Sequence, residues 1–168
     1  MIYATLNAVL THLDTCLPGS ALLQKLIVFC GETPSCANYI AVSSTGVVFT
    51  DDVSSGAGSI NRCASILMLP IEVAVSGVCI PQPNNSGGLP TLTQETNARE
   101  AAYQQMENLA GCLSTLLSST NTTIGNCTYA TRPEVTCDIE GTAYMARATF
   151  SLNINCLEIA PTITAPCC

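Results

Sequence analysis

Residues 61–80 read Asn-Arg-Cys-Ala-Ser-Ile-Leu-Met-Leu-Pro-Ile-Glu-Val-Ala-Val-Ser-Gly-Val-Cys-Ile. Cys63, Leu67, Leu69, Ile71, Val73, Val75 and Cys79 alternate with Ala64, Met68, Glu72, Ala74 and Ser76. A period of two belongs to an extended strand, whose successive side chains point to opposite faces. The stretch therefore predicts a long strand over residues 63–80 with one fully buried face. Pro70 brings no N–H to a ladder, so it marks a bend, a bulge or an edge position.

A second segment repeats the pattern near the end of the chain. Thr142, Tyr144, Ala146, Ala148, Phe150, Leu152, Ile154 and Cys156 alternate with Met145, Arg147, Thr149, Ser151, Asn153 and Asn155. One face is apolar and the other polar, as in a strand with one side on a core. Residues 127–139 predict a preceding strand, and Glu140-Gly141 turns the chain between the two. Shorter β-rich runs occupy residues 25–30, 39–43 and 47–50. Between the last of these and the long strand lies Asp51-Asp52-Val53-Ser54-Ser55-Gly56-Ala57-Gly58-Ser59, a polar, glycine-rich loop.

Two segments switch to helical spacing. Leu6, Val9, Leu10, Leu13 and Leu17 recur at three and four residues, which puts them on one face of a helix over residues 3–17. Pro18-Gly19 ends it, with Gly suited to a left-handed cap. His12 and Asp14 lie off the stripe and are expected in solvent. Ala98, Ala102, Met106, Leu109, Leu113 and Leu116 form a second stripe, with Thr93 as the expected N-cap and Glu95 favouring the helix dipole. Residues 118–123 are polar and patternless. The expected fold class is α+β: a largely antiparallel β-sheet with two helices packed on one face. One domain is expected over residues 1–168, its core spanning about 3–157 and an extended tail following over 158–168.

Composition excludes several functions. Of 168 residues, 48% are hydrophobic and only 10% charged, so the chain can bury a core and is no disordered tail. Net charge is −7, and the five basic residues Lys25, Arg62, Arg99, Arg132 and Arg147 are scattered. Specific nucleic-acid binding needs a basic patch, and none is present. No window approaches the 18 apolar residues of a membrane span. The start, Met1-Ile2-Tyr3-Ala4-Thr5-Leu6-Asn7, has no basic segment, which argues against a secretory signal. With so few charges to solvate it, much of the surface is neutral or covered by partner subunits.

Chemistry is scarce. His12 is the single histidine and has no glycine-framed serine to serve, so a Ser–His or Cys–His nucleophile is not expected. Asp51 and Asp52 point to opposite sides if extended; Asp138 and Glu140 share a strand face but flank a turn. Ser54 to Ser59 lacks the lysine and following helix of a phosphate loop. The triplets beginning at Asn84, Asn121 and Asn126 match glycosylation acceptors by chance in a Ser/Thr/Asn-rich chain. The 11 cysteines sit mostly at apolar positions and read first as small buried hydrophobes. A few disulfides formed after export or cell lysis are the alternative. The spacings Cys30-x5-Cys36 and Cys127-x9-Cys137 do not match zinc pairs, and no metal or other cofactor is expected.

This order of elements resembles the tail terminator proteins of long-tailed bacteriophages. In that family an N-terminal helix precedes a strand meander, a loop-linked helix crosses the sheet, and two C-terminal strands complete it. Here those parts are residues 3–17, 25–80, 93–118 and 127–157. The likeness covers nearly the whole chain in pattern and size, and rests on no residue motif. Related neck and tail-completion proteins share this core. The resemblance implies a virion structural protein and no enzyme. It implies a homohexameric ring that caps the tail tube, stops its polymerisation and meets the head-side connector or stopper protein. DNA only passes through the channel, whose acidic wall repels its phosphates. Assembly takes place in the host cytoplasm. The loop residues Asp51, Asp52, Ser54, Ser55, Gly56, Gly58 and Ser59 are the candidate inter-subunit or tube-facing contact. Eleven cysteines depart from the family's pattern. They keep a second possibility open, a secreted disulfide-stabilised binding domain.

Overall fold

The computed structural model describes residues 2–29, 38–50, 66–84, 87–118, 123–124, 127–129 and 131–154. Helix α1 spans Ile2–Cys16, and a 3-10 turn over Ser20–Leu22 follows. Strands β1 (Gln24–Phe29), β2 (Tyr39–Ser44), β3 (Val48–Thr50) and β4 (Ile66–Cys79) come next. Helix α2 spans Leu92–Leu116. Strands β5 (Thr123–Ile124), β6 (Cys127–Tyr129), β7 (Glu134–Glu140) and β8 (Ala143–Ile154) end the described chain.

The two strands with the clearest alternation pair with each other at the centre. β4 and β8 run antiparallel from Leu67↔Ile154 to Cys79↔Ala143. On the far side of β4, β3 pairs with its first residues and β2 with Glu72 to Ser76. On the far side of β8, β7 pairs along Ala143 to Thr149 and β6 beyond it, with β5 outside β6. Pro70 falls between the stretch that pairs with β3 and the stretch that pairs with β2. A break in pairing is where a residue without an N–H is tolerated in a central strand.

Both helices lie on one face of the sheet. Leu6, Val9 and Leu13 of α1 and Leu109 and Leu113 of α2 are wholly buried. They form one cluster with Ile40, Val42, Leu69, Ile71, Val73, Val75, Ala146, Ala148, Phe150 and Leu152. The α+β class and the one-sided helical layer follow from this cluster.

The structure corrects the sequence reading at several points. The sheet is largely antiparallel as expected, with one exception that no local pattern marks: β1 and β2 are parallel, from Gln24↔Tyr39 to Phe29↔Ser44. The strand expected over residues 127–139 is two strands, β6 and β7. Pro133 separates them: it has no N–H, and it holds Arg132 away from helical geometry. β5 falls where no pattern was visible. The cap of helix α2 lies two residues before the expected one. Thr91 is the N-cap; its hydroxyl accepts from Gln94 N–H at 3.2 Å, while Gln94 Oε1 accepts from Thr91 N–H at 2.9 Å. That reciprocal pair is a capping box, written in the sequence as Thr-x-x-Gln.

The long strand has more than one buried face. Ala74 and Ser76 are buried with Tyr39, Ala41 and Met145 on the side that carries neither helix. The alternation also breaks inside β4. The register shifts between Ser76 and Val78, which makes Gly77 an extra residue. Val78 then stands opposite Tyr144 and Cys79 opposite Ala143. Paired residues share a face, so Cys79 lies on the side away from the helices, not on the face expected for it. Gly141, at φ +58°, makes the β7–β8 turn in a conformation that favours glycine. The N-terminal part of the expected strand, residues 63–65, and the expected tail lie outside the described residues.

Leu113→Ala empties a wholly buried site on the inner face of α2 and is expected to cost about 2–5 kcal/mol. Leu92→Ala, at a position 80% exposed, is expected to change stability by less than about 0.5 kcal/mol. Urea unfolding of both variants measures the difference.

Candidate functional site

The side of the sheet without helices carries a cluster of charges. The residues of β4, β8 and β7 that face this way include Glu72, Arg147 and, on alternate positions, Asp138 and Glu140. Register places Arg147 opposite Ala74 on one neighbour and Thr136 on the other. Its guanidinium reaches diagonally both ways. Nη1 donates to Glu72 and Nη2 to Glu140, and Nε lies 3.7 Å from Asp138 Oδ2. Thr136 Oγ1 donates to the same Asp138 oxygen at 3.2 Å. One cation therefore ties two strands across the strand between them.

The energetics follow from partial exposure. The Arg147 side chain keeps 28% of its accessible surface, against 33% for Glu72 and 39% for Glu140. Burial works against the charged guanidinium. Hydrogen bonds and Coulomb attraction from Glu72 and Glu140 outweigh it and hold Arg147 above its ordinary value. Three carboxylates around one guanidinium leave a local excess of negative charge, consistent with the acidic whole. The cluster's charge-assisted hydrogen bonds clamp β4, β8 and β7 together.

Beside it an open depression of about 360 Å³ is lined by Thr45, Pro70, Glu72, Arg132, Glu134 and Thr149, among others. Its lining mixes charges of both signs with the apolar Pro70, Ile71 and Phe150. Among the described residues no group of His, Cys, Asp and Glu could hold a metal ion. Among them, too, no helix is long and apolar enough to cross a membrane.

Asp138 and Glu140 are thus brought together, and the turn at Gly141 does not set them apart from other chemistry. Sequence reasoning missed their partners, Glu72 and Arg147. A signal was present: each is a lone charge in a long apolar-patterned strand, and the two signs are opposite. The loop residues Asp51, Asp52, Ser54, Ser55, Gly56, Gly58 and Ser59 lie outside the described residues. Thr50 stands opposite Ile66 in the β3–β4 ladder, so the chain leaves β3 and enters β4 at the same end of the sheet.

His12 and the cysteines also depart from expectation. His12 is not simply solvated: it is half-buried, with Nε2 3.0 Å from the carbonyl oxygen of Cys112 and 3.3 Å from Thr115 Oγ1. Asp14 pairs with Lys25 at 3.1 Å. Cys16 and Cys112 are joined in a disulfide between α1 and α2, and Cys79 is disulfide-bonded as well. These three are half-cystines rather than thiols, and of them Cys112 is also buried in the core. Cys137 is a free, half-buried thiol. Burial, and then the neighbouring Asp138 charge, push this thiol above its ordinary value.

No family model and no curated protein matches the chain.

Two outcomes are expected. Arg147→Met leaves three carboxylates facing one another and should destabilise the fold by about 1 kcal/mol, less in 1 M salt, measured by urea unfolding at both ionic strengths. Cys137 should alkylate more slowly than a free thiol at neutral pH, because a raised thiol value means less thiolate. Its rate should climb with pH past the ordinary thiol range, and Asp138→Asn should speed it at a fixed pH. Iodoacetamide labelling followed by peptide mass spectrometry measures both.

Proposed function

We propose that the chain is a structural virion protein, a tail terminator. In this reading copies of it close into a homohexameric ring that caps the tail tube, stops its growth and presents a surface to the head-side connector. A related neck or tail-completion protein with the same core is the near variant. The element order supports this reading by its resemblance to that family: α1, a strand meander, α2, then the β7–β8 hairpin, with both helices on one face.

The observation that carries the proposal is the apolar surface left in water. Leu22, Leu89 and Leu92 are 81%, 81% and 80% exposed, and Ile139 is 67% exposed. A surface with so few charges and such leucines is suited to contact with other subunits. Head-to-tail contacts between identical copies close into a ring when the rotation allows it. An acidic ring also keeps DNA phosphates off its inner wall.

A second reading is favoured by one observation, the oxidised state of Cys16, Cys112 and Cys79. Disulfides persist mainly in oxidising compartments, which suits a secreted binding domain.

Native mass spectrometry of the purified chain, alone and with tail tubes, tests the proposal. Sixfold assembly, or assembly on contact with tube ends, is expected. A chain that stays monomeric beside open tube ends overturns it. Thiol trapping in intact producing cells separates the second reading: Cys16 and Cys112 already bridged inside the cell would favour secretion.

A further inference from the structure

We infer that the Cys16–Cys112 disulfide is a lock closed after folding, and that His12 is the residue that presents its two sulfurs to each other. The bridge joins positions 96 residues apart. It lies at the seam between the C-terminal end of α1 and the last turns of α2. The docking of those helices does not depend on it. Leu6, Val9, Leu13, Leu109 and Leu113 are wholly buried against the sheet and fix both helices by apolar contact. Two thiols that far apart in sequence meet only once that layer has formed.

His12 supplies a polar contact in the same seam. It stands one helical turn before Cys16, so the two share a face of α1. The Cys112 carbonyl can only accept, so His12 Nε2 carries the proton and donates to it at 3.0 Å. Thr115 Oγ1 donates to the same carbonyl at 2.8 Å. This contact fixes the backbone of Cys112 relative to α1. With Cys16 on the same face of α1, it sets the spacing at which the Cα atoms lie 5.7 Å apart. That separation is within the ordinary range for a bridge.

The oxidant is a small-molecule disulfide such as oxidised glutathione. Cys16 is the more accessible of the pair, whereas Cys112 is only 3% exposed. The Cys16 thiolate attacks one sulfur of the oxidant and releases one thiolate. The Cys112 thiolate then attacks the Cys16 sulfur of the mixed disulfide and releases the second. The protein loses two protons and two electrons, and the oxidant takes up both as two thiols. The chain thus folds as a dithiol in a reducing cell and is stapled when it meets an oxidising medium. This needs only the isolated chain, whatever assembly it enters.

The test has two arms. Cys16→Ser/Cys112→Ser should fold, with an unchanged far-UV spectrum, and melt about 5–15 °C below the oxidised protein. A Cys16→Ala/Cys112→Ala pair repeats the measurement with no hydroxyl in the seam. Failure of both pairs to fold makes the bridge a requirement of folding and overturns the lock. Equal melting temperatures overturn it too. In the second arm the reduced chain is mixed with oxidised glutathione, and the Cys16–Cys112 peptide pair is followed by mass spectrometry. His12→Ala should close the bridge roughly tenfold more slowly than the parent, and His12→Gln, which keeps an N–H donor, should recover much of the rate. Closure of His12→Ala at the parent rate removes His12 from the device.

Discussion

The antiparallel pair of β4 and β8 is the constraint on which the rest of the fold hangs. Its ladder fixes which side chains of each strand share a face. Leu69, Ile71, Val73 and Val75 thereby line up with Ala146, Ala148, Phe150 and Leu152. Only that shared apolar face gives α1 and α2 something to bury their stripes against. A slip of one residue would turn every one of these side chains to the other side. The long register is therefore both the sheet's backbone and the floor of the helical layer.

The same pairing explains the polar side. Alternation that points Val73 at the helices points Glu72 away, and alternation that points Ala146 inward points Arg147 outward. β7 adds Asp138 and Glu140 on the same side. The charge cluster is thus a by-product of the register that builds the core, and it links three strands laterally where no helix does so. The seam between α1 and α2 has its own cross-link in the disulfide. By the chain-entropy account, a loop of about 100 residues closed in this way contributes roughly 4–5 kcal/mol through the unfolded state.

Much of this was legible in the residues. The two long alternating segments, both helical stripes, the turn at Gly141 and the one-sided layering follow from periodicity and glycine alone. The failures have separate physical causes. Parallel pairing of β1 with β2 is a matter of topology, which a local pattern does not encode. Thr91 and Thr93 both carry a capping hydroxyl, but Gln94 stands three residues after Thr91 alone and closes the box there. His12 sits off the apolar stripe, yet a polar ring has a place at a helix seam when a backbone carbonyl waits there. The disulfide joins residues in different helices, and each of those cysteines, seen by itself, reads as a small apolar residue. Of the candidate site, Asp138 and Glu140 show in the sequence as carboxylates on one strand face and Glu72 and Arg147 as lone opposite charges, and only strand pairing joins the two sets.

Gly77 has a consequence for sulfur chemistry. Because it adds one residue to β4, it decides on which side of the sheet Cys79 emerges. Without that insertion the Cys79 sulfur would turn toward the helical layer that holds the α1–α2 cross-link. With it, the two oxidised sulfurs stand on opposite faces of the sheet. A single backbone unit, with no side chain of its own, thus chooses the face from which this half-cystine is presented.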